Sequence, residues 1–147
     1  MRRAERNERI GGLDADTVRD VLDQHPIQFA LLFGSYARGT TFSGSDIDIA
    51  VAFDGTLTDD TSQRASARFS LIADLMSALG TDDVDVAVIE DLQPRVGKSA
   101  FEHGIILIGS REQAERYHRE FEERAETPIC PRGERFEAIL RELEGIK

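Results

Sequence analysis

Cysteine occurs once in the 147 residues, at Cys130. A single thiol excludes a disulfide framework and a cysteine-built zinc cluster, and between Ile129 and Pro131 it has no partner in any motif. Lysine is nearly as scarce, with Lys98 and Lys147 alone, and 28 acids against 18 bases leave a net charge of −10. Nucleic-acid binding demands the opposite balance, and no segment weaves basic and aromatic residues into a groove. A template, primer or other nucleic-acid partner is therefore not expected. No apolar run reaches membrane-spanning length. The first residues, MRRAERNER, lack the apolar segment of a secretory signal, so a cytoplasmic protein is expected. Internal repeats, low-complexity tracts and a clear linker are also missing. The length suits one domain with a single core, about 13–110, followed by a helical tail over about 111–147. The acid surplus fits either a salt-adapted proteome or a protein with a basic partner.

What the chain does have is concentrated between Leu31 and Phe53, LLFGSYARGTTFSGSDIDIAVAF. Phe29 to Phe33 is a continuous apolar run, the mark of a strand buried on both faces. Gly34 ends it, and Ser35 is placed to cap a short helix begun by Tyr36, Ala37 and Arg38. A glycine lets backbone approach a ligand closely, and the amides and hydroxyl at a helix start suit phosphate oxygens. Arg38 adds a guanidinium fork matched to phosphate or carboxylate, or a structural ion pair. Gly39 and Gly44 bracket the return into Asp46–Phe53. As a strand, that segment puts Asp46 and Asp48 on one face and Ile47, Ile49, Val51 and Phe53 on the other. Ala50 and Ala52 continue the acidic face with small side chains, leaving room beside the carboxylates. Two acids side by side repel unless a cation lies between them, so this strand calls for a divalent metal. A second acidic strand follows at Asp83 to Ile89, with Val84, Val86 and Val88 on one face and Asp83, Asp85, Ala87 and Ile89 on the other.

Gly34-Ser35, ten intervening residues, then Asp46-Ile47-Asp48 resembles the signature of the DNA polymerase β-type nucleotidyltransferases. The form GSYARG…SDIDIAV is closest to the MNT, or minimal nucleotidyltransferase, family, some of whose members act as antitoxins beside HEPN-domain toxins. The resemblance covers Phe33 to Val51 closely. It implies an α+β fold with a small mixed sheet of about four strands flanked by helices, and a third carboxylate on a neighbouring strand. Asp85 fits that place, with Asp83 in reserve. It further implies Mg²⁺, as two ions when the nucleotide is bound, held by Asp46, Asp48 and Asp85, with Asp85 as ligand, general base or both. Gly34, Ser35 and Arg38 would hold the phosphates of a nucleoside triphosphate, ATP being the expected co-substrate. The expected activity is transfer of AMP to a tyrosine of a HEPN ribonuclease toxin, silencing it. Transfer to a small molecule such as an aminoglycoside, or neutralisation by contact alone, are the other readings.

The remaining segments read as scaffold. Asp14 or Asp16 can cap a helix with Val18, Val21 and Leu22 facing inward, ending before Pro26. Thr61 to Leu79 carries Ala65, Phe69, Ile72, Met76 and Leu79 at helical spacing and links the two acidic strands as a crossover helix. Pro94 to His103 reads as a loop and a short helix, and Ile105 to Ile108 as a fourth strand. Glu112 to Ala125 forms a charged helix with Ala114, Tyr117, Phe121 and Ala125 on one stripe, and His118 on it reads as a solvated surface residue. The prolines of Thr127 to Gly133 break it before a last amphipathic helix, Glu134 to Leu143, free to dock on the domain or on a partner.

Overall fold

Apolar runs and the turns between them set the order of elements in the computed structural model, which describes residues 2–39, 46–54 and 61–126. Gly44, Cys130, the break at Thr127–Gly133 and the expected last helix lie outside the described residues. Strands β1 (Arg2–Arg3), β2 (Arg9–Ile10) and β3 (Leu13–Asp14) precede helix α1 (Ala15–Asp23). Strand β4 (Ile27–Phe33), the single turn of helix α2 (Ser35–Arg38) and strand β5 (Ile47–Phe53) carry the motif. Helix α3 (Thr61–Leu79) then leads to strand β6 (Val84–Val88) and a 3-10 turn at Ile89–Asp91. Helix α4 (Pro94–His103), strand β7 (Ile105–Ile108) and helix α5 (Arg111–Glu126) follow.

The main sheet runs β1-β7-β4-β5-β6. Strand β4 is antiparallel to both β5 and β7, whereas β5 with β6 and β1 with β7 are parallel, so the sheet is mixed as expected. Its fifth member, β1, was not expected. A two-residue Arg-Arg strand has no hydrophobic alternation to announce it, and it is fixed by pairing with Ile105 and Ile106. Strands β2 and β3 form a separate small hairpin that delivers Asp14 to the start of α1. There Asp14 accepts from the Asp16 amide at 3.1 Å and from the Thr17 hydroxyl at 3.2 Å, making it the cap.

Period-two alternation gives the sheet two cores. Ile47, Ile49, Val51, Phe53, Val86 and Val88 face α1 and α3, packing with Val18, Leu22, Leu71 and Leu75. On the opposite face Phe29, Leu31, Ala50, Ala52 and Ile106 meet Phe101 and Phe121 from α4 and α5. Ala50 and Ala52 do share the acidic face, but the space over them is filled by this second core and both are buried. Their small side chains admit helices, and the carboxylates lie at the strand's other end. Gly97 lets α4 and α5 close on each other, since a Cβ there would overlap the Phe121 ring. Pro94 occupies the first position of α4, so the whole of Pro94–His103 is helical. His118 is half-buried rather than solvated, its Nε2 3.7 Å from Glu102 Oε2.

The phase of α3 differs from expectation. Leu71 and Leu75 are fully buried, with Ile72 and Leu79 partly so, whereas Ala65 and Phe69 point outward and Phe69 is 63% exposed. The helix has two overlapping apolar rows, and the sheet accepts the one that also brings Arg68 inward. Leu71→Ala is expected to cost ~2–5 kcal/mol, as for other buried leucines. Phe69→Ser should cost ~1 kcal/mol or less, because it loses little beyond a cation–π contact. Urea melts of the two variants check this; comparable losses would mean that Phe69 is packed as well as Leu71.

Candidate active site

Register does for the acidic residues what the motif alone does not. Phe33, the last residue of β4, pairs with Asp48, and Asp48 on its other side pairs with Asp85 of β6. The Gly34 turn, Asp48 and Asp85 therefore lie side by side across the sheet. Asp46 immediately precedes β5 and is exposed. Asp83 precedes β6 and supplies its carbonyl to the Ile47 amide at 2.8 Å, which locks the two acidic strands together at that end.

Gly34 has φ 77° and ψ −153°, a conformation reserved for glycine. Asp48 packs directly on it: a Cβ built there would overlap Asp48 Oδ2, with Cγ 3.2 Å away. The expected serine cap is corrected here. Gly34 occupies the cap position, and Ser35 is the first residue of α2. The tight turn starts the helix one residue earlier than a serine cap would. Arg38 reaches across to α4 and donates to Ser99 Oγ at 2.8 Å, so it braces the turn against that helix.

Asp48 is held well above the usual carboxylate range, at about 6, first by burial and then by repulsion from Asp85 and Asp46. The three acids thus feel one another. Asp85 is turned partly to Arg68, whose Nη2 lies 3.5 Å from its Oδ1. Among the described residues no three carboxylate, imidazole or thiolate side chains converge into an ion cage. The donor set nevertheless suits Mg²⁺, a hard cation that takes oxygen ligands. It binds through one or two carboxylates plus substrate phosphates rather than in an all-protein cage.

Among the described residues, grooves open on both sides of this site. One, of ≈ 330 Å³, opens beside Gly34 and is lined by Phe33, Arg38, Arg95, Val96, Ser99 and His103. It joins cationic groups to an apolar wall, a surface suited to a nucleotide. The other, of ≈ 340 Å³, runs past Asp85 between Arg64 and Arg68 on one wall and Asp91 and Leu92 on the other. Sequence reasoning missed Arg68 and Arg95. Arg68 was signalled only by its place three residues before Leu71 and seven before Leu75, the inward phase of α3. Arg95 carries no local signal, because only the docking of α4 brings it to the glycine turn.

A family model described as polymerase beta, nucleotidyltransferase, matches residues 16–113, more than half the chain, and leaves out β1 to β3 and most of α5. The chain belongs to the polymerase β-type nucleotidyltransferases. Among solved structures it is similar to a chain of a toxin–antitoxin complex crystallised with AMP-PNP. That chain is 26% identical over 91% of this chain and 95% of the other, with a TM-score of 0.64. A mutant MntA–HpeT toxin–antitoxin complex is also 26% identical, over 91% and 94%, at 0.63. At 23% identity, 90% and 91% coverage and 0.57, a tri-AMPylated HEPN toxin in complex with MNT antitoxin from Shewanella oneidensis shares the fold. A comparison with curated protein sequences gives no significant match. No helix among the described residues is long and apolar enough to cross a membrane.

Proposed function

We propose that this protein transfers AMP from ATP to a hydroxyl of a HEPN-type toxin and thereby acts as its antitoxin. One observation carries the catalytic part: Asp48 lies between the Gly34 turn and Asp85, in contact with the first and in register with the second. Gly34 and Ser35 would hold the terminal phosphates at the start of α2, with Arg38 and Arg95 beside them. Asp46 and Asp48 would hold Mg²⁺ and share it, or a second ion, with Asp85. Bound there, Mg²⁺ would neutralise phosphate charge and lower the pKa of the attacking hydroxyl. Asp85, 64% exposed and facing the second groove, is open to an incoming acceptor, and it would orient that hydroxyl or take its proton. The oxygen would attack the α-phosphorus, forming a phosphodiester as the bond to pyrophosphate breaks. Most of the rate enhancement would be positioning and electrostatics.

An adenine nucleotide as co-substrate and a toxin as acceptor are supported by the similar chain solved in a toxin–antitoxin complex with AMP-PNP. The acidity of this chain, net −10, suits a basic partner. The test is to purify the protein with the HEPN-type product of the neighbouring reading frame and add ATP labelled at the α-phosphate, with Mg²⁺. Label on the partner's tyrosine, and none with Asp48→Ala, is the expected result. Label on a small molecule in the partner's absence, or toxin neutralisation that persists in Asp46→Asn/Asp48→Asn, would overturn it.

A further inference from the structure

Arg68 stands outside the glycine–acid motif, yet three contacts fix it at the catalytic end of the sheet. Its Nε donates to the carbonyl of Val86 on the outer side of β6. Its Nη2 lies 3.5 Å from Asp85 Oδ1, one residue earlier on the same strand. Its guanidinium carbon lies 5.6 Å from the centre of the Phe69 ring. An arginine held only by an exposed carboxylate would exchange that partner for water, and such surface pairs add little. Here the backbone carbonyl and the ring aim the fork, so the guanidinium stays beside Asp85 whether or not the carboxylate holds it.

We propose that Arg68 is a positioning residue for the third carboxylate, a built-in counter-ion that holds Asp85 beside Asp48 before a metal ion arrives and competes with that ion for its charge. The inference rests on the nucleotidyltransfer reading and deepens it. Asp85 is paired with Asp48 by register but free to turn outward, since most of its side chain meets solvent. With no opposing cation, repulsion from Asp48 would drive it away from the place where it is needed. With Arg68 fixed at the groove wall, a cation 3.5 Å from one oxygen biases the carboxylate's orientation. The cost is electrostatic, because a fixed positive charge near a metal ligand weakens the site's attraction for a dication.

Arg68→Gln should therefore separate two quantities that a merely structural residue would move together. With Mn²⁺ as the probe, in the presence of α,β-methylene-ATP, the variant of the full chain should bind the metal ~3- to 10-fold more tightly, as loss of a nearby partly screened charge predicts. In label transfer to the partner its kcat should fall ~10-fold or more, with the KM for ATP within about twofold, as expected of lost orientation rather than lost substrate binding. Arg68→Lys keeps the charge without the fork, so Mn²⁺ affinity should match the native protein while kcat still falls. Unchanged Mn²⁺ affinity or unchanged kcat in Arg68→Gln overturns the proposal. If that variant fails to fold, Arg68→Lys with native kcat overturns it instead. Native Mn²⁺ affinity in Asp48→Ala/Asp85→Ala would sink the underlying catalytic reading, a result distinguishable from either of these.

Discussion

Asp48→Asn should lower AMP transfer by ~10³-fold or more, as for loss of a metal-ligating carboxylate, and at the same time make the metal-free protein more stable at pH 7. The second effect follows from the first role. The folded protein raises the Asp48 pKa from 3.8 to about 6 through burial and repulsion from Asp85 and Asp46. Between those two values the folded state binds a proton that the unfolded chain releases, so this group favours folding more as pH falls from about 6 toward 3.8. Above pH 6 it is charged in both states and its repulsion opposes folding in full. Taken whole, the shift would be worth about 3 kcal/mol, but the carboxylate is only half-buried and solvent screening reduces this to ~1–2 kcal/mol. Asparagine keeps the shape and removes the charge. In EDTA, Asp48→Asn should therefore melt several degrees above the native protein at pH 7 and gain little at pH 4. Taking the difference between the two proteins at each pH cancels carboxylates remote from Asp48, including Glu8, whose pKa is lowered by hydrogen bonds from the Arg2 side chain and the Glu5 backbone amide. Equal melting at both pH values would show that Asp48 is not held against its neighbours' charge.

The residues of the proposed site differ in how far the chain alone announces them. Asp46, Ile47, Asp48 and Ile49 alternate with the period of a strand, so the shared face of the acids could be read directly, as could Val84, Val86 and Val88 on the opposite face from Asp85. The glycine before a short helix was legible for the same reason: few residues suit such a turn. Pairing was not. That Asp48 rather than Asp46 lies across from Asp85 is set by where β5 and β6 align, which the Asp83 carbonyl and Ile47 amide determine through space. The inward phase of α3 was ambiguous because Phe69 and Leu71 both belong to plausible apolar rows, and the sheet chose the row carrying Leu71 and Leu75. Arg68 followed that choice. Strand β1 exists only because β7 offers an edge, and nothing in Arg2 and Arg3 foretells a strand. Local periodicity thus showed the shared face of Asp46 and Asp48, the glycine marked the turn, and the family resemblance pointed to Asp85. Their relative placement, and the cations around them, depended on long-range packing.

Gly34→Ala carries the second large effect, and a double variant separates its two causes. The backbone at φ 77° and ψ −153° is strained for any residue with a Cβ, at ~1–3 kcal/mol. The added methyl would also overlap Asp48 Oδ2, and that carboxylate would have to leave its place between the turn and Asp85. Together these should cost ~2–4 kcal/mol, lower the melting temperature by ~10 °C, and reduce transfer nearly as far as loss of Asp48 itself. Removing the carboxylate should relieve the overlap and leave the strain, because the two closest atoms go and the Cβ of residue 48 lies at an ordinary 3.4 Å. Gly34→Ala/Asp48→Ala is therefore expected to be more stable than the sum of its single variants by ~1 kcal/mol or more, the coupling of residues in direct contact. The melts belong in EDTA at pH 7, so that no metal contributes. Strict additivity would mean that Gly34 matters for its backbone alone, and the contact that ties the Gly34 turn to Asp48 of β5 would lose its role.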